Sequence, residues 1–253
     1  MTPRSSVRRA VGDLLARARR GTPSGRILLY HRIDLTGHPS LSVPPSLFRE
    51  HLGWIAEAGL RVTTVAACRD AGFPEGQVAL SFDDGDATVL TAWSDLARVG
   101  WSATLFIVPE WVGREGFLSW ADLRALVKAG AEIGAHGLSH EALTGADPDA
   151  MATELLLARR RLHDGLGTDA SGLAYPFGIA PARARLAAFR ARFAYAATTE
   201  PGRNTPGTDA HRLRRNEIVG ADDSRERLLG KLRGSDDWMR PIRRLEGRLR
   251  YGS

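Results

Sequence analysis

Apolar positions along the middle of the chain follow two alternating patterns. Largely apolar runs of four to eight residues lie at 26–33, 60–65, 77–82, 103–108, 132–135, 172–175, 194–198 and 213–219. Runs of that length between turn-forming residues predict buried strands. The segments between them carry helical spacing. Residues 46–58 put Phe48, Leu52 and Ile55 on one face, and residues 87–99 follow the turn at Gly85. Residues 119–129 open with Ser119 and Asp122 at the N-cap and N3 positions of a capping box. Residues 148–164 and 181–192 each open on a proline, which suits a first helical position. Strand and helix alternate without a low-complexity break or an internal repeat. This order predicts an α/β domain on a parallel sheet, either a barrel or an open doubly wound sheet. In both, functional side chains gather at the C-terminal ends of the strands.

The ends of the chain differ from its middle. Val7, Val11, Leu14, Leu15 and Ala18 recur at helical spacing among arginines, and Leu228, Leu229, Leu232, Met239, Ile242, Leu245 and Leu249 do so near the other end. Residues 1–26 hold seven arginines against Asp13, and residues 221–253 hold nine Lys/Arg against six Asp/Glu. The net charge of +6 therefore sits in the ends, and residues 27–220 are mildly acidic. A nucleic-acid binder would carry a basic face on its folded body, so no nucleic acid is expected. The ends read either as basic amphipathic helices packed on the body or as peripheral contacts to an anionic membrane. The expected division is a basic N-terminal helix over 1–25, a central domain over 26–220 and a basic C-terminal extension over 221–253.

Composition narrows the class. With 253 residues, 43% of them hydrophobic and 25% charged, the chain is neither disordered nor fibrous. A single cysteine, Cys68, excludes an intrachain disulfide and a cysteine-rich zinc site. No apolar run approaches the roughly 18 residues that span a bilayer, and the Arg-rich start lacks the continuous apolar core of a signal peptide. The expected location is the cytoplasm, with a peripheral place at the inner face of the membrane.

Four strand ends carry polar clusters. The strand Val78-Ala79-Leu80-Ser81-Phe82 runs into Asp83-Asp84-Gly85. Adjacent carboxylates at a buried strand end need a cation or donors; alone, the motif reads equally as a solvated turn. Glu132-Ile133-Gly134-Ala135 runs into His136-Gly137-Leu138-Ser139-His140, two histidines four apart. Combined with the aspartates they suit a metal site with an open water position. Tyr175-Pro176-Phe177-Gly178 ends a third strand, and Tyr30-His31-Arg32 a fourth.

Taken in order, Ser81-Phe82-Asp83-Asp84-Gly85, His136-Gly137-Leu138-Ser139-His140 and Tyr175-Pro176-Phe177-Gly178 resemble the polysaccharide deacetylases, the carbohydrate esterase family 4 or NodB-homology domain. The resemblance implies an α/β fold, a distorted (β/α) barrel of seven or eight strands, with a divalent metal at its mouth. It implies Asp84, His136 and His140 as metal ligands, Asp83 as catalytic base and the backbone N–H of Phe177 as an oxyanion donor. Zinc suits such ligands, and cobalt, nickel or iron(II) fit as well.

The chain departs from the family pattern at Ala174, where many members carry arginine, and at Leu213-Arg214-Arg215-Asn216-Glu217-Ile218, where many carry a histidine. The Asp/Trp motif between them is not evident. Tyr30-His31-Arg32 instead resembles the exopolysaccharide, poly-N-acetylglucosamine-type subgroup. That resemblance implies an acid role for the early histidine, so His31 is expected as general acid or electrostatic stabiliser, and Arg215 is expected as the cation that orients Asp83, with an ordinary ion pair as the alternative. Tyr175, Pro176, Trp111 and Trp120 are candidate substrate contacts, with core packing as the alternative for the aromatics. The expected function is metal-dependent hydrolysis of the N-acetyl group of N-acetylhexosamine units, in a bacterial exopolysaccharide or its lipid-linked precursor. The alternatives are an O-acetyl esterase and a catalytically silent glycan-binding module.

Overall fold

A computed structural model describes residues 23–243 apart from 37, 39, 40, 145 and 146, together with Leu14 and Leu245. Of the helix expected over 1–25, residues 1–13 and 15–22 lie outside the described residues; Ser24 is not helical and bridges Glu75.

The strands are β1 (Arg26–Tyr30), β2 (Arg32–Ile33), β3 (Ser42–Val43), β4 (Arg61–Thr63), β5 (Gln77–Phe82), β6 (Thr104–Ile107), β7 (Glu132–Ala135), β8 (Gly172–Ala174), β9 (Tyr195–Ala197) and β10 (Asn216–Glu217). The helices are α1 (Pro45–Glu57), α2 (Val65–Asp70), α3 (Val89–Arg98), α4 (Trp120–Lys128), α5 (Pro148–Leu166), α6 (Ala182–Arg190) and α7 (Arg225–Arg233). The main sheet is parallel, in the order β10-β1-β5-β6-β7-β8-β9. β4 pairs with the first half of β5 and β6 with its last two residues, so the two share one edge of that strand. The sheet curls until its ends meet: Leu213 bridges Ala197 of β9, and three residues on Asn216 pairs with Leu28 of β1. Residues 213–217 thus change partner midway, which is why the run expected over 213–219 yields a strand of only two residues. The result is the distorted parallel barrel that the sequence motifs imply.

Side-chain alternation divides the core into two layers. Ile27, Ala79, Phe106, Ala174, Tyr195, Ala197 and Leu213 fill the interior, with Val65, Cys68 and Phe73. Leu28, Tyr30, Leu80, Phe82, Leu105, Leu173 and Tyr175 face the helices. Both faces are buried, so these strands read as continuous apolar runs rather than alternating ones. The interior is tight: a Cβ at Gly134 would stand 2.6 Å from the Phe106 ring and 2.8 Å from the Gly172 carbonyl.

Two local features differ from expectation. The strand expected over 60–65 stops at Thr63, because the Thr64 side chain accepts the Ala67 N–H and starts α2 at Val65. A six-residue helix is too short for its period to show in sequence. α4 carries the expected capping box, Ser119 and Asp122 each bonded to the other's backbone. In α7, Leu228, Leu229 and Leu232 are buried in the outer core layer. No described helix is long and apolar enough to cross a membrane.

Candidate active site

The alternation that fills the barrel also builds its mouth. Ala79 and Ser81 face inward on β5, so Asp83, two residues on, faces inward above them. On β7 the same step leads from Gly134 to His136. The Asp83 N–H donates to the Tyr30 carbonyl at 3.0 Å, and the His136 N–H to the Ile107 carbonyl at 2.7 Å. Both residues therefore continue their ladders one step past the strands.

Asp84 then turns off with φ of 73°, and His140 closes its own loop with φ of 69°. Left-handed backbone is rare for residues with a side chain and collects at functional sites. It brings Asp84 Oδ1 to 3.5 Å from His136 Nε2 and 3.4 Å from His140 Nε2. His136 Nδ1 lies 2.8 Å from the Ala174 carbonyl, which can only accept, so Nδ1 carries a hydrogen and, in the neutral ring that ligates a metal, Nε2 carries the lone pair. Burial, with the neighbouring His136, lowers the pKa of His140 and favours its neutral ring. Asp84 Oδ1 is buried and has no hydrogen-bond partner among the described residues. An acceptor facing acceptors is repulsive unless a cation stands between them. The three ligand atoms lie within 4.8 Å of one another. Tetrahedral zinc with bonds of about 2.1 Å sets its ligand atoms about 3.4 Å apart. The two Asp84–histidine spacings match that value, and the donor types suit a divalent metal held by Asp84, His136 and His140.

Beside this set, Asp83 lies with Oδ2 3.7 Å from His136 Nε2. Arg215 grips it with both guanidinium nitrogens, Nη1 to Oδ1 at 2.6 Å and Nη2 to Oδ2 at 2.7 Å. Asp83 is 2% exposed and Arg215 0%. Arg215 Nε donates to the Thr198 carbonyl at 2.9 Å, Nη1 also reaches Ser81 Oγ at 3.3 Å, and the guanidinium lies over the Phe106 ring. Burial pushes the Asp83 carboxyl up, but Arg215, His136 and His31 together outweigh it and hold the pKa below the usual carboxylate range. His31 directly follows Tyr30, whose carbonyl accepts the Asp83 N–H, which places it at the same mouth. His31 Nδ1 is buried and has no hydrogen-bond partner among the described residues.

The aromatic candidates separate. The Trp111 ring lies 5.0 Å from that of His140, and the Phe177 ring 4.7 Å from it on another side. Phe177 has φ of 59° and is 49% exposed, at the rim. Tyr175 and Pro176, expected as substrate contacts, are buried instead. Tyr175 is one step beyond inward-facing Ala174 and so points to the helix layer, where its hydroxyl donates to the His211 carbonyl at 3.0 Å. Trp120 also needs correction: its ring covers Gly165, where a Cβ would stand 2.2 Å from Cζ3. It joins α4 to α5 rather than facing the mouth. Trp120→Ala is expected to cost about 3 kcal/mol of stability by denaturant titration, with the KM for substrate unchanged. A raised KM at unchanged stability would return Trp120 to the substrate side.

Some contributors were not legible. Ser81 carries an alternation signal, two residues before Asp83. Glu154 carries none beyond lying beside the apolar stripe of α5. It is partly buried, and its Oε1 accepts the Leu138 N–H at 3.0 Å. Burial raises its pKa, outweighing the bonds from the Leu138 and Ser139 backbones.

Comparison with known proteins assigns this parallel barrel, with its Asp/His/His cluster, to a family. Residues 70–196 match the polysaccharide deacetylase family, and the chain belongs to it. The matched stretch contains Asp83, Asp84, His136, His140 and Phe177, but neither His31 nor Arg215. YxkH of Bacillus subtilis (strain 168), whose name assigns it provisionally to the polysaccharide deacetylases, is 26% identical over 182 residues. That alignment covers 70% of this chain and 64% of YxkH, so the chain spans under two thirds of its curated relative. Among solved structures, the deacetylase PplD of Streptococcus pyogenes superposes with a TM-score of 0.76 at 24% identity, over 84% of this chain and 99% of PplD. IcaB of Ammonifex degensii gives 0.75 at 22% identity, over 84% and 98%. These structures share the fold.

Proposed function

We propose that the protein is a metal-dependent deacetylase, hydrolysing the N-acetyl group of N-acetylhexosamine units in a bacterial exopolysaccharide or its lipid-linked precursor. The observation that carries this is the convergence of three metal-type acceptors, Asp84, His136 and His140, beside a carboxylate held ionised by a buried arginine. The structure of PplD contains acetate, the product that such a reaction releases.

A divalent ion held by Asp84, His136 and His140 supplies Lewis acidity, polarising a carbonyl and acidifying water. The chain's own groups do the rest. Asp83 takes a proton from the attacking water as its oxygen adds to the acetyl carbon. Arg215 fixes the orientation of that carboxylate by its two-point grip. The backbone N–H of Phe177 donates to the oxyanion of the tetrahedral intermediate. His31 gives a proton to the amide nitrogen as the C–N bond breaks, so acetate and a free amine leave. Trp111 and Phe177 present aromatic faces to the sugar.

Acetate release separates the possible substrates. N-Acetylglucosamine oligomers incubated with zinc- or cobalt-loaded protein are expected to release acetate faster than an acetyl ester does. Release from the ester alone would convert the assignment to an O-acetyl esterase. Release from neither, with metal bound, would exclude the free glycan and leave the lipid-linked precursor as the acceptor, and a protein that binds no metal would overturn the proposal in favour of a silent binding module.

A further inference from the structure

The loop that carries both histidines is folded around a carboxylate from another element. Glu154, on α5, accepts the Leu138 N–H at 3.0 Å through Oε1. Leu138 stands two residues before His140. Gly137 has φ of 70°, and a Cβ there would stand 3.1 Å from Pro176 Cγ and 3.7 Å from Glu154 Oε1. The loop is thus wedged between α5 and the Tyr175–Gly178 segment. Its far wall is also tied, since the Leu138 carbonyl accepts the Glu110 N–H at 3.2 Å. His140 follows with left-handed φ of 69°. A residue with a side chain keeps that conformation only where its surroundings impose it. The Glu154 bond to the Leu138 amide, together with the Glu110 amide on the Leu138 carbonyl, is in place to do so. His136 is fixed differently, by its strand register and by the Ala174 carbonyl. The two histidines therefore depend on different supports, and only His140 depends on α5.

We propose that Glu154 is a positioning residue for the metal site. By holding the Leu138 amide it fixes the turn that sets His140 Nε2 against Asp84 and His136, and metal affinity depends on it. The proposal rests on the metal reading of Asp84, His136 and His140. Supports of metal ligands outside the coordination sphere change affinity by about 10–100-fold when removed.

The test is titration of chelator-stripped, full-length protein with Co2+, followed by visible absorbance, for wild type, Glu154→Ala, Glu154→Gln and Asp149→Ala. Glu154→Ala is expected to weaken Co2+ binding about 10–100-fold. Glu154→Gln keeps an oxygen acceptor for the Leu138 amide and is expected to stay within about threefold of wild type, because geometry rather than charge is at stake. Asp149→Ala removes an exposed carboxylate on the same helix, paired with Arg190, and is expected to change nothing. Thermal melting of the metal-free proteins establishes that each is folded. If Glu154→Ala does not fold, Glu154→Asp replaces it, since it keeps the charge but withdraws the acceptor by one methylene; it is expected to weaken binding as the alanine does. Wild-type affinity in Glu154→Ala or Glu154→Asp would overturn the proposal. So would equal weakening in Glu154→Gln, which would make the effect one of charge. A wild type that binds no Co2+ would overturn the metal reading itself, a result distinct from loss in the variants alone.

Discussion

Asp83→Asn is expected to lower acetate release by about 10³-fold, within the range of lost general-base catalysis, while Co2+ affinity stays near wild type. The separation follows from the geometry. Asp83 lies 3.7 Å from His136 Nε2 and belongs to the Arg215 pair, whereas Asp84 Oδ1 is the oxygen facing both histidines. Asparagine keeps the shape but lacks the charge and one of the two acceptors that Arg215 uses. The same change leaves a guanidinium with 0% exposure uncompensated. Breaking a buried pair by removing one partner costs about 3–5 kcal/mol, so the melting temperature is expected to fall by roughly 10 °C. Acetate kinetics at saturating metal and a thermal melt check both parts. Turnover equal to wild type would remove Asp83 from the role of base.

Arg215→Met is expected to destabilise by a similar amount, about 3–5 kcal/mol at pH 7, with a pH dependence that identifies the cause. In the native chain the folded Asp83 pKa lies below its unfolded value. That depression contributes stability above the unfolded carboxylate pKa of about 3.9, and the contribution is lost as pH falls through the folded pKa. Without the guanidinium, burial, which pushes the carboxyl up, loses its main opponent. The folded Asp83 then favours the proton. The gap between variant and native protein is therefore expected to be widest at neutral pH and to narrow toward pH 4. The acid limb of the activity profile is expected to move to higher pH. Urea titrations at several pH values check the first statement and pH–rate profiles the second. A gap that does not vary with pH would mean that Arg215 acts through packing on Phe106 alone.

The sequence was most legible where chemistry and local structure coincide. Asp83-Asp84-Gly85 and His136-Gly137-Leu138-Ser139-His140 end apolar runs, and a parallel barrel must bring such ends together, whatever its details. Arg215 was legible only through the family resemblance, because its partner is 132 residues away along the chain. Tyr175 shows the opposite error. An aromatic beside a proline at a strand end suggests a pocket wall, yet the alternation of Leu173 outward and Ala174 inward already directs Tyr175 to the helix layer. Trp120 was misplaced because nothing local to it shows that Gly165, on another helix, leaves room for its ring. Glu154 is of the same kind: its meaning comes from a backbone amide in a distant loop, and backbone amides have no signature in sequence.

The central claim is that Asp84, His136 and His140 hold the ion on which acetate release depends. Its most direct test is acetate release from N-acetylglucosamine oligomers by chelator-stripped protein titrated with Zn2+ or Co2+. The account predicts no release from stripped protein, recovery that saturates at one metal ion per chain, and no recovery in Asp84→Ala. Undiminished release after complete removal of metal would contradict it.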